Sequence, residues 1–533
     1  MIAPESNTPT NKTFTITTAI DYVNAAPHIG HAYEKIATDV ITRYQRLRGR
    51  EAYFLTGTDE HGTKVQKTAA EHGIPPKAYT DQISAEFKKA WEFLNLDYDR
   101  FIRTTDAEHY TVVEALWRKM VAKGDIYKAR YTGLYCSGCE NFVLARDLTE
   151  DGLCPHHQRK PDPVEEENYF FKLTRYKEAV IQLIQSRLES GNDFILPRYR
   201  AQEVLHLLEE VEDISVSRAR DSVSWGIPVP DDSEQVIYVW IDALSNYLTG
   251  CGYLQDDKLF ARCWPADVHM IGKDILRFHA IYWPAMLMSV ELPLPGCVFA
   301  HGFINLNDAK ISKSIGNVVS PLSLAERFEL SSPDPIRYYL MTVTHFGQDG
   351  NFTEDDFKTR INADLANNLG NLLNRTLNMT MKYLDGKVPV PRRVQRPTDF
   401  PSFETVLGEI ESAYDHFAFT TAAEKILHWA DGANKLINDS EPWNLHKNGE
   451  HEQLQRVLYT VLDTLRQVAI MLSPLTPSLC QAIWEQLGYR QPLCEFTWDD
   501  ILKTTLPEGQ TVDLQGPILP RLESELVGSN KKK

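Results

Sequence analysis

Apolar positions along the first sixty residues follow two different periods. Residues 13–20 (TFTITTAI) are rich in β-branched side chains and read as a strand. A polar turn, DYVNAAP, follows. Ile29, Tyr33, Ile36, Val40, Tyr44 and Leu47 then recur at steps of 4, 3, 4, 4 and 3, the spacing of one helix face. The pattern predicts a helix from about His28 to Leu47. Pro27 suits its first turn, Gly49 the position past its end, and Arg46 and Arg48 the C-terminal dipole. AYFLTGT follows as a second strand. Strand, helix, strand in so short a stretch predicts a parallel βαβ unit, the start of a nucleotide-binding type of sheet.

Farther on the pattern changes twice. From about 126 to 225 the segments are short and punctuated by Pro155, Pro161, Pro163, Gly191 and Pro197, which reads as an inserted domain. The runs EQVIYVWID and DVHMIGKD then return as strands, followed by the helical LRFHAIYWPAMLMS. From about 331 the period is helical and stays so; Ala423, Ile426, Ala430, Ala433 and Ile437, stepping by 3, 4, 3 and 4, are one example. The last thirty or so residues, with Gly, Pro and a terminal KKK, read as a packed or loose tail whose lysines are solvated. Internal repeats and low-complexity tracts are absent from the sequence.

Composition narrows the class. The chain has 533 residues, which at ~150 per domain suggests three or four domains. Hydrophobic residues make up 43% and charged residues 24%, which excludes disorder and fibrous repeats. The uncharged run between Arg277 and Glu291 has 13 residues and contains Pro284, too short for a membrane span, which needs ~20. The N-terminus (MIAPESNTPTNKT) has no basic segment followed by an apolar one, so no secretory signal is read. The expectation is a cytoplasmic protein with reduced thiols and no membrane partner. Net charge is −17, from 56 basic and 73 acidic residues, which argues against indiscriminate nucleic-acid binding but not against a local basic groove.

Four motifs carry candidate chemistry. His28 and His31, in Pro27-His28-Ile29-Gly30-His31, share one face at a helix N-terminus, where free N–H groups and the dipole favour phosphate. Gly30 between them lets a flat base approach the backbone. Spacing alone favours two ordinary histidines, with a His-x-x-His metal site as a weaker option. Lys310-Ile311-Ser312-Lys313-Ser314 places two ammonium groups in a short loop, able to neutralise a triphosphate and its leaving pyrophosphate; alone it is also an ordinary solvated loop. A P-loop of the G-x-x-x-x-G-K-[ST] type is absent. Cys136-x-x-Cys139 followed by Cys154-x-x-His157 offers three thiolates and one imidazole, the donor set of a closed structural zinc site. His156 is the neighbouring alternative, and a redox pair the rival. The remaining cysteines are scattered and read as small core residues. Gly57-Thr58-Asp59-Glu60-His61-Gly62 lies at the carboxyl end of the second strand, where ligands bind in open α/β sheets.

In this order the motifs resemble a known family. HIGH at 28–31 and KISKS at 310–314 are similar to the two signatures of class I aminoacyl-tRNA synthetases. With GTDEHG, the cysteine knuckle, YVWIDALSNY (238–247), GKDI (272–275), WPAML (283–287) and DLANNLGNLLNR (364–375), the chain resembles the methionyl-tRNA synthetases over roughly residues 13 to 500. The resemblance implies an α/β fold. A split Rossmann-type parallel-sheet catalytic domain (1–125 and 226–330) would carry a zinc-binding connective insertion (126–225). A stem-contact region (331–365), an all-α anticodon-binding domain (366–510) and a tail (511–533) would follow. It implies two steps: L-methionine and ATP give methionyl-adenylate and pyrophosphate, and the adenylate then acylates the 3′-terminal ribose of tRNA(Met), initiator and elongator alike. No DNA partner is implied.

The residue roles implied are these. His28, His31, Lys310 and Lys313 would stabilise the reacting phosphates. Gly30, Gly272, Asp274 and Ser312 would join them around ATP. Asp59 would hold the methionine ammonium, helped by the Ile20 carbonyl. Ile20, Tyr22, Trp240, Ala243, Leu244, Tyr247, His279 and Trp283 would line the side-chain pocket, where sulfur–aromatic contacts contribute ~0.3–1.5 kcal/mol each. Without the resemblance these aromatics read as core. Asn371 and Arg375, four apart on one helix face, and Trp443 would read the anticodon. Cofactors would be one structural Zn²⁺, bound by Cys136, Cys139, Cys154 and His157, and Mg²⁺ arriving with ATP.

Departures from the family pattern are small. Ile311 stands where Met is more usual, the zinc set is Cys₃His with one knuckle, and no appended dimerising domain follows about residue 510, which implies a monomer. Three other readings were open at this level. A class I synthetase for a branched-chain amino acid would carry a larger insertion, and one for cysteine would have its cysteines at the catalytic site. A non-enzymatic RNA-binding relative would lack part of the two signatures, which are intact here. A redox protein would not need Cys154 and His157.

Overall fold

The computed structural model describes residues 13–136, 141–143, 148–155, 158–307, 309–310, 318–390, 392–393 and 402–523. Strand Phe14–Thr18 is buried at every position, as expected of a parallel strand covered on both faces. It pairs in parallel with Ala52–Asp59 on one side and Val268–Gly272 on the other. The main sheet runs Asp21–Tyr22, Ala52–Asp59, Phe14–Thr18, Val268–Gly272, Cys297–His301, Ile195–Leu196, with Arg100–Arg103 also paired to Ala52–Asp59. All these pairings are parallel. The strand order reverses at Phe14–Thr18, so the carboxyl ends of its neighbours open a crevice there.

The first helix is Ile29–Leu47, one residue inside the sequence expectation, with His28 as its N-cap. Its apolar face packs on the sheet, but Glu34, Lys35 and Asp39 on other faces are buried too. The helix is wedged between the sheet and helix Asp334–Thr342. Arg337 of that second helix is fully buried. It donates to Asp39 Oδ2 (2.7 Å) and to the carbonyls of Leu94 (3.2 Å), Pro474 (3.0 Å) and Leu475 (3.1 Å). One guanidinium therefore joins the sheet layer to the helical part of the chain.

The stretch read as an insertion contains an antiparallel sheet ordered Asn141–Val143, Ile126–Cys136, Asp162–Phe171, Ile214–Ser215. Within the same stretch, Ile195–Leu196 returns to the edge of the main sheet beside Cys297–His301.

Two expectations differ from the structure. EQVIYVWID is not one strand: the strand is Asp232–Ile237, and Val239–Gly250 is a helix capped by Tyr238. A short apolar run does not distinguish the two states, and the buried Ile241, Leu244 and Leu248 continue it at helical spacing. The helical period also starts before 331, with Pro321–Arg327, and is broken by strand Gly350–Phe352, which pairs in parallel with Ile304–Leu306. The run LRFHAIYWPAMLMS is helical as expected, with a π-turn at Phe278–Tyr282 ahead of Trp283–Ser289. Pro284 stands where the π-turn passes into the α-helical turn, inside one continuous helical run, a place where a missing N–H is accommodated by irregular helix geometry.

From Glu354 onward helices dominate, with Phe419–Ser440 packed along His451–Leu472. The tail is packed as far as described: Leu519 and Leu522 are buried, and Leu522 exchanges two hydrogen bonds with the Asn362 side chain. Among the described residues, no helix is long and apolar enough to cross a membrane.

Candidate functional site

The first signature closes on itself. The His28 backbone N–H donates to His31 Nδ1 at 3.1 Å, and the Gly30 N–H donates to His28 Nδ1 at 3.1 Å. The two rings stack with centroids 3.8 Å apart. This is a capping box built from two imidazoles. Because each Nδ1 accepts, each neutral ring carries its proton on Nε2 and presents an N–H donor at that end. A Cβ on Gly30 would stand 2.9 Å from His28 Cε1, so glycine is required for the stack.

The second signature lies mostly outside the described residues: Ile311, Ser312, Lys313 and Ser314 are not described, and Lys310 is described only as backbone, paired with Asn305. Its far end is informative. The Ile29 N–H donates to Val319 O at 2.9 Å, so the chain leaving that loop is tied to the N-terminus of the first helix.

Behind the histidines sits a buried charge relay. Lys35 Nζ donates to Asp21 Oδ1 (2.8 Å), Glu34 Oε1 (2.9 Å) and Ala19 O (2.9 Å). Glu34 Oε2 accepts from His301 Nε2 at 3.0 Å. Burial alone would raise the Glu34 carboxyl, but Lys35 and His301 outweigh it and hold it below the usual range. Gly272 ends its strand, and exposed Asp274 sits in the following turn.

Of the residues expected around the amino acid, Trp240, Tyr247, His279 and Trp283 are brought into contact, while Tyr22 packs against the other core cluster. Tyr22 is paired with Asp59 across adjacent strands, and Asp59 is buried. Tyr247 Oη lies 2.7 Å from His279 Nε2, and His279 Nδ1 lies 3.1 Å from Ile275 O. The carbonyl only accepts, so His279 donates from Nδ1 and accepts a hydrogen bond from the Tyr247 hydroxyl at Nε2. Burial pushes the ring down to about 4, which keeps it neutral at physiological pH. Trp240 stacks on Phe278 at 3.6 Å and meets His279 edge-on. Trp283 packs 5.9 Å from Tyr247 and donates from Nε1 to His269 Nε2 at 3.1 Å. Ala243 and Leu244 are buried on the same helix as Tyr247, and Ile20 packs against the same core. Tyr247, His279, Trp240, Trp283 and Phe278 thus form one uncharged aromatic cluster.

Sequence reasoning missed His269, Asp242, His109 and Arg218. Asp242 Oδ2 lies 2.7 Å from His61 Nδ1, and its Oδ1 lies 2.8 Å from His109 Nε2. Burial would raise this carboxyl, yet the two imidazoles outweigh it and hold it low. Arg218 lies over the Tyr238 ring at 4.3 Å and lines a small cavity with His61, Gly62, Thr63 and Trp225. The signal available was the unused His61 in GTDEHG and the Asp in VWIDAL.

Of the metal set, Cys136 ends the hairpin strand opposite Asn141, and Cys154 starts a tight turn in which Gln158 N donates to Cys154 O at 2.8 Å. Both are buried. Cys139 and His157 lie outside the described residues, as does His156. Among the described residues no group of three or more His, Cys, Asp and Glu could hold a metal. The two described thiols, both buried, nevertheless have the donor chemistry that zinc requires.

In the helical region, Asn371 and Arg375 are both exposed on helix Asn371–Leu384. Arg375 Nη2 donates to Asn438 Oδ1 at 3.2 Å. Asn438 is near the end of helix Phe419–Ser440, just before Trp443, which is 42% exposed in helix Pro442–Lys447.

Comparison with known proteins agrees in extent and in kind. A family model described as tRNA synthetases class I (M) matches residues 14–163 and 151–377, and one described as the anticodon-binding domain of tRNA ligase matches 402–518. The methionine–tRNA ligase of Synechocystis is 44% identical over 498 residues, covering 91% of this chain and 90% of that one. That of Thermosynechococcus vestitus is 43% identical over 485 residues, covering 89% and 90%. The Mycobacterium tuberculosis methionyl-tRNA synthetase solved with methionyl-adenylate superposes with a TM-score of 0.88 at 40% identity, covering 96% of this chain and 100% of that one.

Proposed function

Since the chain belongs to the methionyl-tRNA synthetase family of class I aminoacyl-tRNA synthetases, we propose that the aromatic cluster borders its methionine subsite and that the two-histidine helix terminus is its ATP subsite. The activity itself is that of a methionine–tRNA ligase. The observation that carries the residue assignment is the neutral, mutually bonded Tyr247–His279 pair inside a shell of Trp240 and Trp283. A polarizable thioether fits such a lining, and neither polar group is left to demand a charged ligand.

In this reading Asp59 holds the ammonium, with the Ile20 carbonyl beside it. The methionine carboxylate attacks the α-phosphorus of ATP; the bond to the bridging oxygen breaks and pyrophosphate leaves. The protein contributes position and charge rather than a general base. His28 and His31 aim their Nε2–H groups at the phosphates, Gly30 admits the adenine, and Gly272 and Asp274 complete the nucleotide site. Lys310, Ser312 and Lys313 meet the pyrophosphate. Mg²⁺ arrives with ATP and neutralises phosphate charge. The tRNA ribose then displaces AMP from the adenylate carbonyl.

Asn371, Arg375 and Trp443 form the anticodon reader, serving initiator and elongator tRNA(Met) alike. Cys136, Cys139, Cys154 and His157 hold one structural zinc. The chain works as a cytoplasmic monomer. Its catalytic half is divided by the 126–225 insertion, with Ile195–Leu196 given back to the main sheet, and is followed by the stem-contact and anticodon domains.

Two measurements test this. In ATP–pyrophosphate exchange without tRNA, Trp283→Ala is expected to raise the KM for methionine about 10- to 100-fold, the range for truncating a large buried side chain at a binding site, while KM for ATP stays put. An equal rise in both would refute the subsite assignment. Metal analysis is expected to find one zinc per chain in the native protein and none in Cys154→Ser. Full zinc in that variant would remove Cys154 from the ligand set.

A further inference from the structure

Asp242 is 1% exposed and lies in the first turn of helix Val239–Gly250. Each of its carboxylate oxygens is taken by a different imidazole, His61 Nδ1 at 2.7 Å and His109 Nε2 at 2.8 Å. A carboxylate only accepts, so His61 carries a proton at Nδ1 and His109 at Nε2. The opposite nitrogens are engaged as well: His61 Nε2 with Tyr110 Oη at 3.0 Å, and His109 Nδ1 with Thr249 Oγ1 at 2.9 Å. His109 and Tyr110 both belong to helix Ala107–Ala122. The cluster thus ties three elements together: that helix, helix Val239–Gly250, and the loop after strand Ala52–Asp59.

Where its ends lead distinguishes the cluster from an ordinary buried ion pair. His61 is two residues beyond Asp59, and Asp242 stands between Trp240 and Ala243. The inference rests on the reading above, in which Asp59 holds the ammonium and helix Val239–Gly250 walls the side-chain pocket. We propose that Asp242 is a positioning residue for methionine: through His61 it sets the separation between the Asp59 carboxylate and the wall of Trp240, Ala243 and Tyr247, so that both ends of the amino acid are engaged together. His109, bonded to the other oxygen from a third element, stops the carboxylate from rotating away. An amide at 242 offers one acceptor where two N–H groups arrive, so one imidazole must let go.

The test separates the two ends of the ligand. Asp242→Asn is expected to raise the KM for methionine in pyrophosphate exchange about 10- to 100-fold, the range for losing a charge-assisted hydrogen bond, with KM for ATP unchanged. The desamino analogue of methionine, γ-(methylthio)butyrate, keeps the side chain and the carboxylate but lacks the ammonium group that Asp59 would hold. Its inhibition constant against methionine is expected to move less than about threefold, the scatter of independent sites. His61→Asn keeps an N–H near the Nδ1 position and is expected to retain most of the methionine affinity; His61→Ala is expected to lose it, and this pair decides the matter should the Asp242 variant not fold. A parallel loss for methionine, analogue and ATP would mean a purely structural role and overturn the proposal, as would an unchanged methionine KM. Asp59→Asn separates premise from inference. If it leaves the advantage of methionine over the analogue intact, the ammonium assignment fails. If it abolishes that advantage while Asp242→Asn does not, only the positioning role fails.

Discussion

Replacing Lys313 by alanine is expected to lower methionyl-adenylate formation about 100- to 1,000-fold, the range for removing one preorganised group from a site of developing charge. Methionine affinity should stay within about twofold, because sites without shared partners act independently. The reasoning starts from position. The chain leaving the 311–317 loop is tied by Val319 O to the Ile29 N–H, the amide next to His28. The chain that follows the second signature is therefore anchored to the helix terminus that carries the first, and on the proposed reading Lys313 meets the leaving pyrophosphate. Negative charge grows on the leaving pyrophosphate only as the α-phosphorus bond breaks, so the interaction strengthens in the transition state and appears in kcat. Single-turnover measurement of adenylate, beside equilibrium binding of methionine, distinguishes the two effects. If methionine binding fell as far as the rate, Lys313 would be holding the fold rather than the phosphates.

A complementary loss is expected at the other end of the molecule. Trp443→Ala should reduce kcat/KM for tRNA charging about 10- to 100-fold, since stacking an unpaired base on an aromatic ring contributes ~1–3 kcal/mol. Pyrophosphate exchange without tRNA should be unchanged. Trp443 is 42% exposed on the short helix Pro442–Lys447, whereas Trp429, in the long helix just before it, is buried and bonded to Gln467. An exposed indole at a helix start gives up little stability on truncation, so a folded variant is expected. A fall in exchange activity to match the fall in charging would exclude a role confined to RNA.

The two signatures, the first βαβ unit and the helical second half are legible in the sequence because each is a local pattern. Ile29 to Leu47 announces itself through spacing, and the structure keeps those bounds within one residue. The same helix also shows the limit of such reading. Lys35, Glu34 and Asp39 are buried against the amphipathic pattern, and two of their partners, His301 and Arg337, lie 267 and 298 residues away. The His61–Asp242 contact spans 181 residues. No periodicity encodes which distant charge will neutralise a buried one; the fold must first bring the elements together. VWID was misread as strand for a related reason, since a short apolar run is equally at home in either state. Trp240, Tyr247 and Trp283 carry no spacing signal that separates a binding site from a core, so only the family resemblance singled them out.

Arg337 has a mechanical meaning beyond stability. Its guanidinium bonds Asp39, on the helix that begins at His28, and the carbonyls of Pro474 and Leu475, at the turn that ends helix His451–Leu472. These bonds are fully buried, so water cannot substitute for them one at a time. The first helix and the turn after helix His451–Leu472 are thereby hinged on one shared side chain, like two arms on a pivot. On the proposed reading, the span from the anticodon surface to the reacting phosphates is set by the protein before any RNA arrives.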